Sequence, residues 1–276
     1  MRVTPLRSST QLSFDLLAGA LTAREAARAT GTLHVTGNPG GRIHLRNGWI
    51  ISAESPGAPG PDTLLLRSGR ISESAAPASR DNVGTTALQV VAMMATQDAA
   101  FSAVAGEIEG CELTAGVLDV AVPMSTGVEP VRLLQETSRR LTSLYALPCA
   151  LSPHRERVAP TREAELYEHS AVRADILTHA TGRRCARDLA FVCGRSVYSV
   201  TIEVCRMVGE GLLTVVSGTT VTTPASEPAM PLRPRNPQRP PPVAETGAEG
   251  DDEPLPRSLR RQLLPKLFKQ QERKQL

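Results

Sequence analysis

A chain of 276 residues, 41% hydrophobic and 21% charged, is long enough for two modest domains with tails. Its 31 basic and 28 acidic residues leave a net charge of +3, and five cysteines with no CxxC spacing point to reduced thiols in a cytoplasm. No apolar run reaches the ~20 residues that span a bilayer, and the opening MRVTPLRSSTQ has neither the apolar core nor the cleavage pattern of a secretory signal.

In chain order, residues 11–29 place Leu12, Leu16, Leu17, Ala20 and Leu21 at the spacing of an amphipathic helix. Strand-like segments follow at 32–36, 42–46 and 49–53. Between the first two, Gly37-Asn38-Pro39-Gly40-Gly41 lacks the Gly-Lys-Ser/Thr ending of a phosphate cradle, so a hairpin turn is expected. Between the second two, Asn47-Gly48 favours a type I′ turn, which pairs Leu45 with Ile50 and Arg46 with Trp49. A Pro/Gly loop then leads to a short helix at 62–67. Residues 72–82 are small and polar, and a disordered excursion is expected there. Residues 86–91 and 100–102 read as a later helix and strand, with Glu107, Glu109 and Glu112 in a short solvated loop.

Three blocks carry a resemblance: Leu16-Leu17 in the first helix, Thr30-Gly31-Thr32-Leu33 opening the sheet, and GRIHLRNGWIISA from Gly41 to Ala53. Together they resemble the PatA-type N-terminal domain of bacterial signalling proteins. The resemblance covers residues 11–122 and implies signalling or regulation, with no catalytic residue to carry over.

Residues 130–147 form an expected helix with proline in the first turn. Val131, Leu134, Leu141 and Tyr145 fall near one stripe, interrupted by Ser138. Such a stripe suits a linker helix packed on the N-terminal domain, or a homodimer contact. Residues 148–160 break the pattern and mark a domain boundary.

The next segment reads as three short helices and a hairpin. Ile176 and Leu177 lie in the first helix, before Thr181-Gly182. The second runs from Cys185 and stops at Cys193-Gly194, where glycine takes the left-handed conformation that ends helices. The third opens at Ser196, a good N-cap, and carries Val197, Val200, Val204, Met207 and Val208 at spacings of three and four. Strands at 212–216 and 219–222 would pair about Ser217-Gly218. This order is that of a winged helix, and the ending Glu210-Gly211-Leu212-Leu213 resembles the close of the recognition helix in MarR-like regulators.

Charge divides the functions open to such a module. Between residues 165 and 222, six arginines (173, 183, 184, 187, 195 and 206) meet six acids (165, 168, 175, 188, 203 and 210), so the usual positive footprint on phosphates is missing. The arginines nevertheless cluster about the middle helix. The set expected to contact double-stranded DNA is Arg183, Arg184, Arg195, Ser196, Ser199 and Arg206. On the same outward face, Ile202 suits a protein partner instead.

The tail changes character twice. Pro228, Pro231, Pro234, Pro237 and Pro240 keep a three-residue period, the polyproline II repeat, and an acidic run follows at 245–253. All three lysines lie in residues 257–276, where Leu259, Leu263, Leu267 and Phe268 line a basic amphipathic segment interrupted by Pro265. That segment is expected to dock on a protein partner, with an anionic membrane surface or nucleic acid as the alternatives.

No pair of His or Cys keeps a metal-ligand spacing, and there is no Gly-x-Ser-x-Gly elbow. No catalytic, metal or cofactor residue is assigned, and an enzyme is not expected. The sequence thus reads as α+β: a small mixed N-terminal domain with a β-hairpin (11–122), a linker helix (129–147), a winged helix-turn-helix domain (165–222), a disordered Pro-rich and acidic linker (223–256) and a basic tail (257–276). The expected function is a cytoplasmic bacterial regulator whose winged helix contacts DNA. The alternative is a signalling adaptor that binds proteins through the winged helix, N-terminal domain and tail.

Overall fold

Residues 4–67, 69 and 84–216 are described by the computed structural model. The readings at 72–82, at 219–222 and along 223–276, with Leu259, Leu263, Leu267 and Phe268, lie outside these residues.

Strand β1 (Gly31–Asn38), β2 (Gly41–Arg46), β3 (Trp49–Glu54) and β4 (Glu107–Ala115) form an antiparallel sheet in the order β3-β2-β1-β4. Side chains alternate across a strand, so cross-strand partners share a face. The register Leu33–Ile43, Ile43–Ala53 and Leu33–Leu113 thereby builds one apolar row. Asn47 and Gly48 both have positive φ, 52° and 80°, the requirement of the type I′ turn, and Leu45 meets Ile50 as expected. The free edge of β3 is covered by a returning segment, through Met124 N–H to Ile51 O and a bridge between Ile50 and Val128.

Helix α1 (Thr4–Thr22) packs on β4, and a 3-10 turn at Ala26–Arg28 leads into the sheet. Leu17 and Leu21 are fully buried, while Leu12 and Leu16 face outward. After the short α2 (Pro61–Arg67), helix α3 (Thr85–Ala105) lies across β3 and touches α1 and α2. The expected strand at 100–102 is corrected here: Ala100, Phe101 and Ser102 are buried in the last turns of α3. A short apolar run does not by itself distinguish strand from buried helix, and the alanine-rich flanks favour helix. The loop expected at Glu107–Glu112 is instead β4, with Ile108 buried and Glu107, Glu109 and Glu112 facing solvent. By length and composition α3 could cross a membrane, yet more than half of its most apolar window is buried inside the fold, as in a core helix.

Helix α4 (Pro130–Tyr145) packs on α3 and α1. Its buried stripe is Leu133, Leu134, Thr137, Arg140, Leu141 and Leu144, rotated from the expected one so that Val131 points out.

Helices α5 (Ala171–His179), α6 (Ala186–Cys193) and α7 (Val197–Gly209) follow where the sequence places them. Gly194 ends α6 at φ 62°, and Ser196 Oγ accepts from Ser199 N–H as the N-cap of α7. A difference appears in the strands. Residues 148–160 contain β5 (Arg157–Pro160), which pairs antiparallel with β6 (Leu213–Val216), and Arg157 also bridges to Cys185. The partner of β6 therefore precedes the three helices. A four-residue strand ending in proline gives little periodic signal.

Among the described residues the fold is thus mixed α+β, with seven α-helices and an antiparallel four-stranded sheet. Buried apolar residues run without interruption from Leu17 to Leu213, joining the sheet to the three-helix unit.

Candidate functional site: the groove between α3 and α7

The outward face of α7 does not stand free. Ser199, Ile202, Glu203 and Arg206 line one wall of a groove of about 960 Å³, and Thr86, Val90, Val91 and Met94 of α3 line the other, with Leu64 of α2 at its end. Val90 and Met94 are 54% and 41% exposed, although they are apolar residues on a helix whose other faces are core. Ile202 is half-buried and packs on the core edge.

The charges along this groove are largely spent inside the protein. Arg173 donates to Glu203 at 2.6 Å and, at 2.6 and 3.0 Å, to Glu210, which lowers the pKa of the Glu210 carboxyl. Arg206 lies 3.5 Å from the other Glu203 oxygen, and Arg195 lies 3.6 Å from Asp175. Arg184 donates to the carbonyl of His179 at 3.0 Å. Of the six residues expected to meet DNA, Arg183, Ser199 and Arg206 are exposed, and Arg184, Arg195 and Ser196 are half-buried.

Ser196 is engaged by a group the sequence reading missed. Asp98 of α3 is fully buried, and its carboxylate accepts from Arg140 Nη1 at 2.6 Å, Ser196 Oγ at 2.9 Å and the Val197 backbone N–H at 2.8 Å. Burial pushes this carboxyl's pKa up, while Arg140, Ser196 and Val197 pull it back, and three donors suit the ionised form. Arg140 is held in turn by Glu136 at 2.8 Å and Gln97 at 2.7 Å, and its guanidinium sits 4.9 Å from the centre of the Tyr198 ring. Tyr198 meets Phe101 edge-on at 5.4 Å. The available signal was that Asp98 is the sole charged residue in α3.

The turn between α6 and α7 is also closed in. A Cβ on Gly194 would fall 1.9 Å from Cβ of Arg67, so the end of α2 abuts this turn.

The cysteines of the three-helix unit are free thiols. Burial pushes Cys193 up to about 12 and Cys205 up to about 11, so both remain protonated at neutral pH and act as packing groups.

Comparison with family models, curated proteins and solved structures finds no match for this chain.

Proposed function

We propose that the protein is a regulatory adaptor that uses the groove between α3 and α7 to hold an apolar helical segment of a partner protein. The observation that carries this reading is the pairing of exposed apolar side chains, Val90 and Met94, with Ile202 across a groove whose acids and arginines already neutralise one another. A wall with no surplus charge suits an apolar, weakly charged ligand, and two helices flanking a channel suit helix-in-groove recognition. The PatA-type resemblance of the N-terminal block fits the same reading, as a signalling module.

A second reading keeps α6 and α7 as the helix-turn-helix of a DNA-binding winged helix. The order of elements and the exposure of Arg183, Ser199 and Arg206 favour it. Against it stand the α3 wall beside α7 and the commitment of Ser196 to Asp98.

The test is fluorescence anisotropy of the full chain with labelled helical peptides bearing leucines on one face. Wild type should bind, with little dependence on salt, and Val90→Arg or Met94→Arg, both at exposed positions of the groove, should abolish binding without changing the melting temperature. Failure of every such peptide, together with salt-sensitive capture of duplex DNA that Arg183→Ala and Arg206→Ala weaken, would replace the adaptor by the DNA-binding reading.

A further inference from the structure

We propose that Asp98 is a latch that holds α7 closed against the N-terminal part of the fold, and that its release lets α7 move away from α3. This goes beyond the adaptor reading and stands without it, because it concerns how α7 is attached and not what fills the groove.

Three observations carry the proposal. The first is where the partners come from. Asp98 lies on α3, Arg140 on α4, and Ser196 and Val197 at the start of α7, so one carboxylate joins three helices far apart in the chain. The second is the kind of bond. A buried ion pair is a poor source of net stability compared with apolar packing, but it is specific in geometry and fails abruptly when one partner is lost. Apolar contacts already surround it, with Phe101 against Tyr198 and Val197 fully buried. The ionic group therefore defines one docked position of α7 rather than supplying general adhesion.

The third observation is location. Ser196 and Tyr198 line the groove and also belong to the Asp98 cluster, Ser196 by its hydroxyl and Tyr198 through Arg140. A ligand that reaches the end of the groove at the start of α7 touches the latch. In the closed arrangement α3 faces the outward side of α7, so the latch is an autoinhibitory contact towards any broad partner of that helix. A ligand shifts such an equilibrium only through different contacts in its two states, and Ser196 and Tyr198 are placed to provide them.

The test measures the distance across the groove in the full-length protein, with spin labels on unnatural amino acids at the exposed positions 90 and 206. Wild type should give one short distance. Asp98→Asn should add a longer-distance population, and Ser196→Ala, which removes one donor and keeps the Asp98–Arg140 pair, should add a smaller one. The label at 206 lies beyond the first turn of α7, so fraying of the Ser196 cap does not mimic the shift. A distance unchanged in both folded variants would overturn the proposal. So would loss of the four-stranded sheet together with the shift, since Asp98 would then be an ordinary core group. If Asp98→Asn does not fold, the Ser196→Ala distance decides alone. Peptide binding plays no part in the measurement, so failure of the adaptor reading leaves its outcome untouched.

Discussion

At the scale of single residues, Asp98 and Arg140 set the sharpest expectation. Removing one member of a buried pair strands the other charge, so Arg140→Ala should cost about 3–5 kcal/mol in a urea titration. The double change Asp98→Leu with Arg140→Met leaves no unpaired charge and should cost clearly less than the single change. An additive double mutant would show that the two groups do not act together. Two imidazoles, buried His44 and half-buried His154, make a second expectation. Burial lowers the pKa of both His44 and His154 from the ordinary 6.5, against the raising influence of Glu54 on His44 and of the Ser102 carbonyl on His154. A depressed folded pKa means the neutral ring is the folded form. Its contribution is complete above pH 6.5 and is lost as pH falls, because the unfolded chain then binds protons that the folded one refuses. Melting temperature should therefore drop from pH 7 to pH 5, and His154→Gln should flatten part of the drop. Glu136 acts lower on the scale. Held at about 2 chiefly by hydrogen bonds from Arg139, it loses its contribution between about pH 4.5 and 2, a small one because the group is partly solvated.

At the scale of elements, β5 is the piece with most to test. It lies before the three helices, its Val158 is fully buried, and it supplies the only strand partner of β6 among the described residues. A fragment of residues 165–222 lacks it, whereas a fragment of 150–222 keeps it together with the buried Leu151, whose N–H meets Cys205 Sγ. Burying one valine is worth about 2 kcal/mol, so the longer fragment should show sharper denaturant unfolding by circular dichroism. Equal behaviour of the two would make β5 dispensable. The same strand shows where sequence reading stops. The segments β1 to β3 and the Asn47-Gly48 turn that pairs two of them were legible because local chemistry and burial agree there, and the caps at Gly194 and Ser196 were legible for the same reason. Residues 157–160 offered four positions and a proline, and their pairing is decided by contacts more than fifty residues away. The outward face of α7 could be read from Val200, Val204 and Met207, but a sequence period says nothing of the helix that stands opposite. The groove was therefore out of reach, although Ile202 was singled out as one of its residues.

At the scale of the whole molecule, the continuous core from Leu17 to Leu213 predicts one cooperative transition for the described residues. Trp49, the only tryptophan, sits at the β2–β3 turn and reports the sheet, while far-ultraviolet circular dichroism is dominated by the helices. The two signals should coincide in urea. In Asp98→Asn they should separate, with the minor part of the helical signal carried by α5–α7 lost before the Trp49 signal, because the link between sheet and three-helix unit is weakened. Coincident curves in that variant would mean the apolar contacts alone keep the halves together. The pairing of β5 with β6 has a different consequence. Arg157 stands opposite Val216, so the chain enters and leaves the three-helix unit through one doorway. A stretch whose two ends meet can be spliced into a loop of an unrelated host without prying that loop apart, or re-joined end to end and opened elsewhere. By its ends, though not by its core, which continues into the sheet, the stretch 157–216 is such a cassette, needing a gap in its host of only a strand spacing, about 5 Å.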